Sequence, residues 1–102
     1  MAISQATVGT SATTIYTSSG NSATTVIFLM NHNASARTVQ IYVVPNGGSA
    51  ATTTQIIKDL SIDGADTYIF NTEKLVLATG DTIRVTASAA TSIYATVSYV
   101  SI

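Results

Sequence analysis

Cysteine and tryptophan are absent from this 102-residue chain, and proline occurs once, at Pro45. Without cysteine there is no disulfide, no thiolate metal site and no thiol redox centre. Charge is scarce too, because four Lys or Arg and five Asp or Glu residues leave a net charge of −1. So few basic residues cannot neutralise the phosphates of a nucleic acid or hold a protein on an anionic membrane. We therefore expect neither as a partner.

Long apolar segments and leader sequences are also lacking. The longest apolar run covers residues 26–30, far below the roughly 18 residues that cross a bilayer. The N-terminus has no basic stretch followed by an apolar one, so we predict no signal peptide and synthesis in a cytoplasm. Disorder is not expected, because 46 % of the residues are hydrophobic and few are charged.

What the chain does contain is β-branched residues and hydroxyls. Ser and Thr together number 30, and Val, Ile and Thr number 38, whereas Leu occurs four times. Side chains branched at Cβ lose rotamer freedom in a helix and pack well on a pleated sheet. The composition therefore predicts an all-β protein.

The order of apolar residues indicates where the strands lie. Residues 38–43, 82–89 and 93–102 alternate between apolar and polar, as strands with one buried face do. Residues 26–30 are apolar on both faces, which predicts a strand covered on two sides. Shorter candidate strands are residues 13–17, 54–60, 67–71 and 74–77. Over residues 52–60 the spacing of Ile56, Ile57 and Leu60 suits a short helix equally well.

Turn-forming residues separate these runs, as at residues 18–22, 31–35, 45–49, 63–66 and 79–81. Seven to eight short antiparallel strands spaced about ten residues apart are typical of a β-sandwich or a jelly-roll-like barrel. We predict one such domain over residues 13–102. Residues 1–12 are predicted to be an N-terminal arm or an edge strand.

His32 is the one histidine and the one candidate general base. General acid–base catalysis needs an oriented titratable partner within hydrogen-bond reach, and the nearest acidic residue in sequence is Asp59. We interpret His32 as a turn or strand-end residue and predict a protein that is not an enzyme and uses no cofactor. A cleft that places His32 beside Asp59, Asp63 or Asp66 would reopen that question.

Three carboxylates lie close together in sequence, at Asp59, Asp63 and Asp66. Oxygen clusters of this kind bind hard cations such as calcium, but Asp and Gly are also the residues that tight turns prefer. We favour the turn and assign no metal ligand. The glycine-rich stretch after Pro45 lacks the Lys and the helix of a phosphate loop, so no nucleotide site is predicted.

Aromatic residues are spread about one per strand, which suits packing between strands. Tyr42 and Tyr94 fall on the outward faces of their strands and are the best candidates for a contact surface. No Trp is present to form a sugar platform.

Two stretches, VPNGGSA at residues 44–50 and VLATGDTI at residues 76–83, carry a family resemblance together with the runs 66–70 and 85–98. From Ala12 onward the order of these segments resembles small all-β virion structural proteins of tailed bacteriophages, notably cyanophages. The resemblance implies a capsid decoration (cement) protein or a neck or tail accessory, located in the virion. It transfers no catalytic residue.

The resemblance also implies partners, namely the major capsid protein or other virion proteins and further copies of this chain. A nearly uncharged surface lets many copies lie side by side, and low charge leaves strand edges open to pairing. We expect a homo-oligomer, a trimer if it caps capsid three-fold positions. We also expect the arm, and the charge-free chain before Arg37, to contribute to attachment. The alternative is a neck, tail or fibre component, including a module that binds host-surface glycans.

Overall fold

The chain forms two packed antiparallel β-sheets in the computed structural model, which describes residues 2–71 and 74–102. The strands are β1 (Ala2–Val8), β2 (Thr13–Thr17), β3 (Ser22–Asn31), β4 (Arg37–Val44), β5 (Gln55–Ile62), β6 (Thr67–Phe70), β7 (Val76–Leu77), β8 (Thr82–Ala87) and β9 (Ile93–Ser101). The all-β prediction is confirmed, and residues 2–71 and 74–102 contain nine strands rather than seven or eight because residues 2–8 form one. No helix within these described ranges is long and apolar enough to cross a membrane.

The strand order is that of a jelly roll. Sheet 1 has the order β1-β9-β3, with β6 and β7 along the far edge of β3, and sheet 2 has the order β2-β8-β4-β5. The antiparallel pairs are nested: β1 with β9, β2 with β8, β3 with β6 and β7, and β4 with β5. A long hairpin folded over on itself produces this nesting, which defines a jelly roll of two sheets.

The core lies between the two sheets. Ile27 and Leu29 of β3 face Ile41 of β4 and Ile83 and Val85 of β8, and all five are inaccessible to solvent. Burying an aliphatic side chain of this size stabilises the fold by roughly 1.5–3 kcal/mol. Ile41, Ile83 and Val85 are apolar members of the alternating runs 38–43 and 82–89, so the predicted inward faces of β4 and β8 are confirmed.

The structure differs from two sequence-based expectations. Residues 52–60 form one turn of 3-10 helix, Thr52–Thr54, followed by β5, so the strand is correct for most of the segment. The prediction that residues 26–30 are covered on both sides is wrong for the single chain. Phe28 and Met30 are 37 % and 39 % exposed, because none of the described residues packs over the outer face of sheet 1.

The N-terminal segment is built into the sandwich. All seven residues of β1 pair with β9, and Val8 at its end is fully buried. The chain then crosses to sheet 2 at Gly9, whose carbonyl accepts a 3.0 Å hydrogen bond from the backbone N–H of Ala87. Of the two forms expected for residues 1–12, residues 2–8 adopt the edge strand, and Met1 lies outside the described residues.

Candidate protein-interaction surface

The outer face of sheet 1 is apolar because of strand register. Ile27 and Leu29 point into the core, so Phe28 between them points outward. Residues directly opposite one another in antiparallel strands point to the same side. Phe28 lies opposite Thr96 of β9 and Ile69 of β6, and these side chains therefore share the outer face.

We call this surface the apolar face. Its apolar members come from all five strands of sheet 1 and are Ile3, Val26, Phe28, Met30, Ile69, Val76, Tyr94 and Val100. Six of them are among the eight large hydrophobic side chains that the described parts of the chain expose. The polar residues between them are Gln5, Thr7, Thr67, Thr96 and Ser98, and none of the described strand residues on this face is Asp, Glu, Lys or Arg. Lys74, between β6 and β7, lies at the edge of sheet 1, where its Nζ donates a 2.9 Å hydrogen bond to the carbonyl of Thr25. Contiguous apolar patches of this kind mark interaction sites on soluble proteins.

The outer face of sheet 2 is polar by contrast. Arg84 lies opposite Tyr42 there, and the hydroxyl of Tyr42 donates a 2.7 Å hydrogen bond to Oε1 of Gln40. The same oxygen accepts a 3.0 Å bond from Nε2 of Gln55, and Nε2 of Gln40 donates a 2.9 Å bond to Oδ1 of Asp59. Tyr42 is thus half-buried within a hydrogen-bonded network, and Tyr94 is the more accessible of the two candidate contact tyrosines.

The strand edges differ in their protection. β5, at one edge of sheet 2, carries Lys58 and is distorted at Asp59, where φ is +53°. A charge and an irregular backbone both hinder pairing with another chain. β1, at one edge of sheet 1, carries no charge along its seven residues. It is tied to the neighbouring sheet by Ser4, whose Oγ donates a 2.8 Å hydrogen bond to the carbonyl of Ile15.

His32 lies directly after β3, at one end of the apolar face. Its backbone N–H donates a 2.7 Å hydrogen bond to the carbonyl of Ser92. Its exposed ring meets the ring of Tyr94 edge to face, with centroids 5.9 Å apart. The structure therefore places His32 at a strand end, beside an aromatic residue of the apolar face.

Two of the three clustered aspartates use their carboxylates in hydrogen bonds within the fold. Asp59 accepts the bond from Gln40, and Oδ1 of Asp66 accepts a 2.8 Å hydrogen bond from the backbone N–H that follows it. Asp63 takes part through its backbone carbonyl, which accepts a 3.2 Å bond from Nδ2 of Asn31. Over residues 2–71 and 74–102 no group of three or more His, Cys, Asp or Glu side chains is placed to hold a metal ion.

Asn31 is a structural residue, although its sequence context indicates only a turn. Its side chain is fully buried, and its Nδ2 also donates to the carbonyls of Ser35 and Ile62, at 2.9 and 3.0 Å. Its Oδ1 accepts a 3.0 Å bond from the backbone N–H of Asn33. The last bond is the Asx turn that Asn commonly makes with the residue two positions on. The bonds to Ile62 and Asp63 join segments that are far apart in the chain, so no local sequence pattern predicts them.

The two stretches that carry the family resemblance meet at one end of the sandwich. Oδ1 of Asp81 accepts a 3.0 Å hydrogen bond from the backbone N–H of Asn46, and Oδ2 accepts one of 3.0 Å from Ala78. The carbonyl of Pro45 accepts a 2.8 Å bond from the N–H of Gly48, with Gly47 at φ +81° between them. The glycines of this loop therefore form a tight turn.

No protein-family model matches the chain, and no curated protein or solved structure matches it either.

A shallow depression surrounds Tyr94 on the apolar face. It has a volume of about 460 Å³ and is lined by β1 and β9, with Gln5, Thr7 and Thr96 beside the ring. Tyr94 is 37 % exposed. An accessible aromatic ring therefore lies here next to several hydrogen-bonding side chains.

Proposed function

We propose that this protein is a structural protein of a tailed-bacteriophage virion, in the first place a capsid decoration protein that stabilises the shell through protein–protein contacts. The observation that carries the proposal is the apolar face, on which six exposed apolar side chains lie together with no charged residue among the described strand residues between them; Lys74 lies at its edge. Covering such a surface with protein removes it from water, which favours association. The assignment to a phage particle rests on the family resemblance at residues 44–50 and 76–83.

The scarcity of charge supports the same function. A decoration protein is repeated many times on one shell, and neighbouring copies with a large net charge would repel one another. This chain has a net charge of −1, and its few charges lie mainly in sheet 2 and in the connecting turns. The proposed partners are the major capsid protein and further copies of the same chain.

The proposal predicts saturable binding to particles that lack this protein. Purified protein is mixed with such particles, and the bound copies are counted after sedimentation and by imaging. Ile69→Asp, which places a charge on the apolar face, is expected to weaken binding at least about tenfold, because a buried unpaired charge costs several kcal/mol.

Ile56→Asp provides the matched control. Ile56 lies on an edge strand of sheet 2 and is 44 % exposed, against 50 % for Ile69 on an edge strand of sheet 1. The control variant is expected to bind particles like the unmodified protein. Absence of saturable binding, or equal losses for the two variants, would contradict the proposal.

The depression around Tyr94 favours a second candidate function, a neck, tail or fibre module that binds host-surface glycans. A sugar ring packs its apolar side on an aromatic face and hydrogen-bonds through its hydroxyls to nearby polar groups. Tyr94 with Gln5, Thr7 and Thr96 offers both kinds of contact.

A glycan array tests this second function. If it is correct, a defined class of glycans is retained, and Tyr94→Ala lowers the affinity at least about tenfold, in line with loss of a central aromatic anchor. Tyr42→Ala, on the polar face of sheet 2, is the control and is expected to leave retention unchanged. An array without reproducible retention would eliminate this candidate.

A further inference from the structure

We propose that the apolar face is covered by the same face of a second copy of this chain, so that the protein forms a two-fold symmetric dimer. The inference rests on the assembly role proposed above and names a second copy as the partner of that surface. The shell then binds the dimer, and a charge on the apolar face weakens particle binding because it separates the two copies and removes one of two linked attachment points.

The number of apolar surfaces favours a dimer over a ring. A two-fold interface uses one self-complementary patch on each subunit, whereas a trimer needs two different patches that fit each other. Sheet 1 supplies one large apolar patch. The outer face of sheet 2 carries Arg84 and the network around Gln40 and Asp59, so it offers no matching apolar patch. The primary contact is therefore isologous, in place of the trimer expected from the resemblance.

The low charge of the apolar face favours the same face of a second copy as its partner. Two identical surfaces that carry charge bring like charges together when they meet, which disfavours the pairing. Within the described residues, the strands of sheet 1 place Thr, Ser, Gln and apolar side chains on the apolar face and no formal charge. Lys74 lies at the β6–β7 edge, away from the central strands β9 and β3. Pairing the central strands of this face with their own copies therefore brings no like charges together. A charged partner surface would lose its hydration here without gaining an ion pair.

The area of the face is sufficient for a specific contact. Four strand positions about 4.8 Å apart and about eight residues long, at about 3.3 Å per residue, give a footprint of about 500 Å². Two protomers together then bury at least about 1,000 Å², which is the size at which specific interfaces separate from incidental contacts. Side-chain relief raises the accessible area above this footprint.

The two-fold axis is expected near the middle of the sheet. β9 and β3 are the central strands of sheet 1, and Thr96 and Phe28 lie opposite each other at mid-strand. Sheets that pack face to face lie about 10 Å apart with interdigitating side chains. A charge introduced at Thr96 therefore comes close to its own copy across the axis.

Analytical ultracentrifugation of the full chain over a concentration series tests the dimer. The unmodified protein is expected at twice the 10.5 kDa chain mass. Thr96→Asp and Thr96→Lys are each expected to raise the dimer dissociation constant at least about tenfold, because like charges then face each other. Mixing the two variants is expected to restore a dimer, since each Asp then faces a Lys.

Thr86→Asp and Thr86→Lys are the matched controls, because Thr86 lies on β8, a central strand of sheet 2, and is half-buried like Thr96. They are expected to dimerise like the unmodified protein, and circular dichroism verifies that all four variants fold. A monomer at every concentration, a trimer, or a dimer indifferent to charge at Thr96 would each overturn the inference. Particle binding by such a protein would leave the proposed function standing and assign the face to a capsid subunit.

Discussion

Replacing Val8 with Asp is expected to lower the free energy of unfolding by about 4 kcal/mol, because the new carboxylate is buried without a partner. Val8 ends β1, is inaccessible to solvent and lies opposite Ile93, which is equally buried. Small domains have total stabilities of about 5–15 kcal/mol, so the variant is expected to be close to unfolding. The midpoint of urea denaturation measures the loss.

Ile3→Asp is the control within the same strand. Ile3 is 62 % exposed on the apolar face, and a surface substitution of this kind usually changes stability by about 0.5 kcal/mol or less. The comparison is made at dilute protein, where association does not add to stability. If Val8→Asp and Ile3→Asp are equally stable, β1 does not contribute to the core as described.

Comparing Val8→Asp with Ile3→Asp is more informative than deleting the N-terminal segment. Deleting residues 1–12 suggests itself as a test of an attachment arm. However, the deletion removes β1, exposes the edge of β9 and empties the space that Val8 occupies. Any loss of binding would then mix misfolding with loss of contact. Ile3→Asp changes only the outward side of the strand, so an effect on association is attributable to the apolar face.

Gly64→Ala is expected to lower the free energy of unfolding by about 3 kcal/mol, at the upper end of the range for overpacked sites. A Cβ at this position overlaps the carbonyl carbon and oxygen of Ala34 and lies 3.0 Å from the backbone nitrogen of Ser35. Backbone atoms cannot rotate away as a flexible side chain does. The loop after β3 and the turn after β5 must separate, which strains the bonds that Asn31 makes to both. Thermal and urea unfolding measure the effect.

Gly9→Ala is the matched control. A Cβ there meets Oγ1 of Thr13 at 3.5 Å, an ordinary contact, and Gly9 does not have a positive φ. Ala at such a site stabilises by about 0.5 kcal/mol, since it restricts the unfolded chain. A loss for Gly64→Ala no larger than the change for Gly9→Ala would show that the two loops are not in close contact.

The requirement for glycine at residue 64 cannot be predicted from local turn preferences. Asp-Gly-Ala-Asp is recognisable as a turn, and turns commonly use Gly where φ is positive. In the folded chain it is Ala65 that has φ +60°, while Gly64 is required by the approach of the Ala34 backbone. The segment that approaches comes from another part of the chain, so the turn sequence carries no information about it.

In strand β3, too, local sequence predicts one feature of the proposed interface and the tertiary structure decides the other. Its five consecutive apolar residues marked a strand with two apolar faces, and side-chain alternation, a local property, placed Ile27 and Leu29 on one of them. Only the sheet order decides which face meets the core. Phe28 and Met30 become part of the apolar face because β1, β6 and β9 bring Ile3, Ile69 and Tyr94 onto the same side of the sheet.

The sequence by itself determined the all-β class, the inward faces of the alternating strands, the positions of the turns and the scarcity of charge, because composition and period-two alternation are local. Tertiary structure alone decided the nested strand pairing, the incorporation of β1 and the gathering of apolar side chains on one outer face. Those features depend on which segments far apart in the chain become neighbours. The packing of the whole core selects which segments become neighbours, so no short segment of the sequence predicts them.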